Sequence, residues 1–239
     1  MRVRLRFTKS GKVRFTGHRD VARILERSLR RAGLPLTMTE GFSPRPKLHF
    51  GLALSTGYES LGEYLDFDVR DGDGEAAAVQ VSALPAQLTA LLPPGINVET
   101  AAVIDPRETS LQQAVTSCSW QLSIVGREPA VVAAKAADLL ARDTIPVTRE
   151  RKGQPVHDDL RPAILRLEVV GDTIETELST QPRGVRPAEL LAVFDPPMPD
   201  PITEGGRVCR THQWITAADG AMREPLHATP APHAEARAS

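Results

Sequence analysis

The first seven residues alternate strictly. Val3, Leu5 and Phe7 interleave with Arg2, Arg4 and Arg6, the period of a strand with one apolar and one basic face. Lys9-Ser10-Gly11 reads as a turn, and Val13 and Phe15 alternate with Lys12 and Arg14 beyond it, so the pattern predicts a hairpin. Over residues 18–32 the period changes. Val21, Ile24, Leu25, Leu29 and Ala32 recur at helical spacing while Arg19, Arg23, Arg27, Arg30 and Arg31 fall mostly on the other side, which predicts an amphipathic helix ended by Gly33 and Pro35. Short strands are expected at 36–39 and 48–54, and a longer one at 63–69 with Leu65, Phe67 and Val69 inward. A helix over 76–92, stopped by Pro93-Pro94-Gly95, and a strand over 96–103 complete the first half.

A second cycle follows with the same grammar. It comprises a strand at 119–125, an Ala-rich helix at 129–142 with Pro129 in its first turn, and a strand at 145–148. A hairpin at 163–170 and 173–178 turns across Gly171-Asp172, then come a short helix at 187–194 and a strand at 208–215. The order of elements predicts an α+β fold of two tandem ferredoxin-like (split β-α-β) modules with antiparallel sheets. The boundary falls at 105–111, giving an N-terminal module over 1–106 and a second over 107–217. From about Ala218 the chain turns to Ala, Pro, Gly and scattered charge, and residues 218–239 are expected to be a disordered tail.

Charge alters this picture more than composition does. The chain holds 29 Lys/Arg and 30 Asp/Glu, yet residues 1–50 hold thirteen bases against three acids. The near-neutral total therefore conceals a molecule with a strongly basic N-terminal region and an acidic remainder. Such a surface attracts polyanions locally, which points to nucleic acid or an acidic partner; the plainer alternative is a solvated basic face. The apolar fraction of 41% is that of an ordinary folded chain, and no stretch reads as a membrane span. The alternating N-terminus is unlike the continuous apolar run of a secretory signal, which predicts a cytoplasmic protein. Cys118 and Cys209, the two cysteines, read as small core residues and leave a bridge between them open.

The most unusual stretch is Glu40-Gly41-Phe42-Ser43-Pro44-Arg45-Pro46-Lys47. Two prolines and a glycine restrict the backbone, and an aromatic beside two cations suits stacking on an unpaired base with phosphates neutralised alongside. The alternative is a structural loop with Phe42 plugging the core. In the second half, Arg149, Arg151, Lys152 and Arg161 lie in a polar loop that offers cations to a phosphate backbone, with a solvated surface loop as the alternative. His18 and His49 are the acid–base candidates for RNA cleavage, but nothing in the sequence pairs either with a partner. Glu63, Asp66 and Asp68 on one strand suggest a metal less than they suggest pairing with basic strands. No Gly-x-x-x-x-Gly-Lys-Ser/Thr occurs, which argues against an ordinary nucleotide hydrolase. No cofactor or metal is expected.

Four runs then carry a resemblance: G-K-V-R-F-T-G-H-R-D at Gly11 to Asp20, R-R-A-G-L-P at Arg30 to Pro35, E-G-F-S-P-R-P-K at Glu40 to Lys47, and L-G-E-Y-L-D at Leu61 to Asp66, with D-L-R-P at Asp159 to Pro162 in the second half. They resemble the radical-SAM-linked protein family, a domain of unknown function. The resemblance implies a partner, a radical SAM enzyme that looks like a cobalamin-binding type, encoded beside or fused to such chains. This chain has no Cys-x-x-x-Cys-x-x-Cys, so cluster chemistry would belong to the partner. The leading expectation is an accessory module, not catalytic on its own, that binds transfer or ribosomal RNA and presents it to the modifying enzyme. Its contacts would be Arg2, Arg4, Arg6, Lys12, Arg14, Arg19, Arg23, Arg27, Arg30, Phe42, Arg45 and Lys47, together with the loop cations of the second half. The alternatives are an RNA-processing enzyme resembling the CRISPR endonucleases, and a docking scaffold that touches no RNA.

Overall fold

The computed structural model describes residues 1–70, 79–151 and 153–226, the side chain of Arg151 excepted. The fold is mixed α+β, with a mostly antiparallel sheet and five α-helices among the described residues. Strand β1 (Arg2–Lys9) opens the chain and α1 (His18–Arg31) follows. Val21, Leu25, Ser28 and Leu29 are buried on one side of α1, the i, i+4, i+7, i+8 set that its sequence predicts. Gly33, at φ +71°, ends it in a left-handed turn that costs a glycine little. Strands β2 (Leu48–Phe50) and β3 (Glu59–Asp68) come next, then α2 (Leu84–Thr89) and β4 (Val98–Ile104). After α3 (Leu111–Ala114), the second half runs β5 (Ser117–Ser123), α4 (Pro129–Leu140), β6 (Pro146–Arg151), β7 (Gln154–Asp159), β8 (Ile164–Val170), β9 (Thr173–Ser179), α5 (Pro187–Ala192) and β10 (Val208–Thr216), and ends with β11 (Met222–Arg223).

The halves do not form two separate sheets. One sheet runs β4-β1-β3-β10-β5-β9-β8, with β2 added to β3 and β11 to β10. The join is the parallel pairing of Cys209 and Arg210 with Glu59 and Ser60. Two apolar clusters lie along it. One gathers Val3, Leu5, Phe7, Leu65 and Phe67 with Leu25, Leu29, Leu84 and Leu88. The other gathers Leu122, Ile174 and Leu178 with Val132, Leu139 and Leu190, and it also takes in Leu54 and Tyr58 from the segment before β3.

Several expected elements are corrected. Residues 11–15 form a 3-10 helix, not the second strand of a hairpin. Gly11, at φ +64°, turns the chain away, and both edges of β1 are already taken by β3 and β4. The expected strand at 36–39 reduces to isolated bridges, Leu36 with Val69 and Met38 with Pro46; Pro35 before it and Pro46 opposite Met38 have no backbone donor to extend a ladder. The helix expected over 76–92 begins outside the described residues, and within them α2 starts at Leu84, with Pro85 in its first turn. The polar loop of the second half is a hairpin of its own, β6 against β7. Residues 218–226, expected within the tail, turn back and pair Met222 and Arg223 with Thr216 and Ile215. Residues 227–239 lie outside the described residues. A bridge between Cys118 and Cys209 is excluded by register. Cys118 faces Gln213 and Cys209 faces Gln121, about 10 Å or more apart at ~3.3 Å per residue, beyond disulfide reach.

Candidate nucleic-acid interface

The face of β1 opposite the first core cluster is where the sequence places its first three arginines, and each meets a carboxylate there. Arg2 Nε donates to Asp68 Oδ1 at 2.7 Å and Arg4 Nε to Asp66 Oδ1 at 2.7 Å, each pair lying directly opposite in the strand register. Each arginine also gives a second guanidinium nitrogen to the same carboxylate, at 3.1 and 2.9 Å. Arg6 pairs with Glu99 and, at 3.4 Å, with Glu224. The segment after β11 covers this layer: Glu224 accepts from Tyr64 Oη, and the Pro225 carbonyl accepts from Arg4 Nη1. Arg4 is 2% exposed. These cations are neutralised within the fold and are not a free phosphate-binding face.

The second-half cations are committed as well. Arg149 and Arg183 share Asp158 at 2.5 and 3.0 Å. Arg161 donates to the Leu140 carbonyl at 3.1 and 3.3 Å, satisfying an acceptor at the end of α4. Lys152 and the side chain of Arg151 lie outside the described residues.

The outward side of α1 is different. Arg19, Arg23, Arg27, Arg30 and Arg31 are all exposed. Arg23 meets Asp20 at 3.1 Å and Arg30 meets Glu26 at 3.0 Å, both in water-exposed pairs that leave the guanidinium accessible. Among the described residues Arg19, Arg27 and Arg31 have no carboxylate partner, and Arg30 and Arg31, in the last turn of α1, suit its dipole. Before the helix, Lys12 is exposed and Arg14 sits 4.8 Å from the ring centre of Phe15 while holding Glu59 at 3.5 Å. Phe15 is 56% exposed, an aromatic that the hairpin expectation obscured.

The proline loop projects from the same half. Thr39 N donates to the Arg45 carbonyl at 2.7 Å, Arg45 N to Thr39 Oγ1 at 3.1 Å, and Lys47 N to the Thr37 carbonyl at 2.9 Å. These bonds close a small loop at whose tip Phe42 is fully exposed, so Phe42 does not plug the core. Arg45 and Lys47 are exposed beside it. An aromatic and two cations held on a constrained loop can stack on a base and neutralise its flanking phosphates.

The acid–base candidates remain apart. His18 meets the ring of Phe50 edge-on at 5.1 Å. His49 Nε2 lies 3.7 Å from Asp68 Oδ2, an oxygen already held by Arg2. Glu63, Asp66 and Asp68 do not converge: Glu63 pairs with Arg210, Asp66 with Arg4 and Asp68 with Arg2. No cluster able to hold a metal occurs among the described residues. Burial pushes both thiols up to about 11, so neither cysteine is a thiolate at neutral pH.

Sequence reasoning missed the seam between the halves. Arg210 is 1% exposed, and it donates to Glu63 Oε1 at 2.6 Å and to the Leu52 carbonyl at 2.8 Å. Its guanidinium lies 5.5 Å from the ring centre of Trp120. Nearby, Lys9 is buried and donates to the Arg14 carbonyl; burial, with the Arg210 charge adding to it, lowers the ammonium from its ordinary value. The available signal was Arg210 on the same strand parity as Val208.

A model of the family described as an uncharacterized protein conserved in bacteria (DUF2344) matches residues 2–187. Its description mentions no radical SAM enzyme. No curated protein matches the chain. Among the described residues, no helix is long and apolar enough to cross a membrane.

Proposed function

We propose that this chain, which belongs to the uncharacterized bacterial family DUF2344, is an accessory module that binds a single-stranded stretch of RNA and presents it to a radical SAM modifying enzyme. The observation that carries the reading is the contrast of exposure: Lys12, the α1 arginines, Arg45, Lys47 and Phe42 face solvent, while the remaining described cations of the expected interface are bound to protein acceptors. Cations neutralise phosphates and Phe42 offers a stacking platform, the combination that binds flexible strands. The partner rests on the sequence motifs alone. We read the two halves as ferredoxin-like modules fused edge to edge, because the order β4-β1-β3-β2 of the first is repeated as β10-β5-β9-β8 in the second.

The test is binding of single-stranded RNA across a salt series. Each neutralised phosphate contributes roughly −0.7 to the log–log slope. Replacing Arg23, Arg27 and Arg30 together by Gln should flatten that slope by about two, at three contacts, with an unchanged circular-dichroism spectrum. No affinity at low salt, or a slope that survives the triple change, would leave docking onto an acidic protein as the use of this face.

A further inference from the structure

A cleft of about 280 Å³ opens at the seam between the halves, and none of its lining residues belongs to α1 or the proline loop. Its inner end is Arg210, and its walls include Leu52, Trp120 and Val185. Arg186 and Ser55, both exposed, stand at its outer end. One feature sets it apart from a packing defect. Arg210 is satisfied by Glu63 and Leu52 through Nε and Nη2 and also meets the Cys118 thiol, which lines the cleft. Trp120, however, is 7% exposed, and among the described residues its Nε1–H has no acceptor, although a buried indole N–H ordinarily finds one. Leaving a buried donor unmatched is costly, and a ligand that brings an acceptor removes that cost.

The lining side chains include donors but no carboxylate. Glu63 engages Arg210 from outside the cleft, and the second arginine is at the opening. A flat body with acceptors on its inner edge and an anionic group at its outer end is complementary to this arrangement. We propose that the cleft holds one unstacked nucleotide, its base between Leu52, Val185 and Trp120 and its phosphate at Arg186. The inference rests on the RNA reading only for the source of that nucleotide. Guanine, which presents O6 and N7 side by side on one edge, matches donors at this end of the cleft. Adenine puts an exocyclic amine where guanine has O6 and would direct it at a guanidinium.

The experiment uses the full chain carrying Trp214→Phe, which leaves Trp120 as its one indole, and follows fluorescence on addition of guanosine and adenosine 5′-monophosphates. Guanosine monophosphate should quench and bind at least about tenfold more tightly than adenosine monophosphate, since the wrong base edge leaves donors unpaired. Gly184 lines the cleft, and a Cβ there meets nothing within 4 Å. Gly184→Phe should therefore fill the space without disturbing the buried pair, and weaken guanosine monophosphate at least tenfold. Arg186→Gln should weaken the monophosphate but not guanosine. If no nucleotide quenches Trp120, or Gly184→Phe leaves nucleotide affinity intact, the assignment falls. RNA binding with its full salt slope would then leave the α1 interface standing. Conversely, nucleotide binding that Gly184→Phe removes, in a protein with no affinity for RNA, would uphold the cleft and overturn the RNA reading.

Discussion

Arginine is used in two opposite ways within thirty residues of this chain. On β1, Arg4 is buried against Asp66, with both oxygens of the carboxylate engaged by its guanidinium. On α1, Arg27 faces water without a carboxylate partner among the described residues. Both count equally toward the basic N-terminal region, yet only the second kind can meet a polyanion without first losing an internal partner. A net charge summed along a sequence measures potential attraction; the register of strands sixty residues apart decides how much of it reaches the surface.

The contrast is sharpest where a substitution removes one arginine of each kind. Arg4→Met should destabilise the fold by about 3–5 kcal/mol, because it leaves the Asp66 carboxylate buried and unpaired, and the melting temperature should fall by about 10 °C. Arg4→Met combined with Asp66→Leu should recover most of the loss, since an apolar pair can replace a buried ion pair at little cost. Arg27→Met should stay within about 0.5 kcal/mol of the parent. Equal effects at positions 4 and 27 in denaturant titrations would break the distinction.

The parts of the fold legible in the sequence are those whose period is set by a single apolar face. Val21, Leu25 and Leu29 define α1, and Leu65 and Phe67 define the inward side of β3. Gly171-Asp172 marks the turn between β8 and β9. Alternation misled at residues 12–15, where a period of two over four residues carries no knowledge of whether a sheet edge is free. Of the β6–β7 hairpin only the first strand, expected at 145–148, was legible; β7 pairs apart from the main sheet and lacks a clear apolar side. The exposed part of the candidate interface could be read from local pattern, since Phe42, Arg45 and Lys47 share one constrained loop. The cleft could not, because Trp120 and Arg210 meet across the β5–β10 register and Leu52 reaches them only through the β3–β10 join.

Phe42 tests the exposed side of the comparison directly. With its ring outside both core clusters, Phe42→Ala should leave the melting temperature nearly unchanged while weakening RNA binding by about 1–3 kcal/mol, and at every salt concentration, because stacking is not screened by ions. A loss of stability of the size expected for a truncated core phenylalanine, about 3–5 kcal/mol, would mean that the ring is buried in solution and cannot be a platform.

A smaller effect than at Arg4 lies at Arg2 and Asp68, where a β1 ion pair reaches the edge of the solvent. Their side chains are 21% and 20% exposed. The hydrogen bond from Arg2 holds Asp68 below the usual carboxylate range, against the opposing effect of burial and with the charges of Arg2 and His49 assisting. A carboxylate depressed in the folded state stabilises it above the unfolded value of about 3.9, and that contribution disappears as pH falls through the folded value. Asp68→Asn should therefore cost about 1 kcal/mol or less at pH 7, where the pair is partly screened, and should flatten the acid limb of a stability profile measured from pH 5 to pH 2. Arg2→Gln should produce the same flattening by returning Asp68 toward its unfolded value. An acid limb of undiminished steepness in both variants would place Arg2 with the free arginines of α1, and the division between paired and unpaired cations would then begin at Arg4.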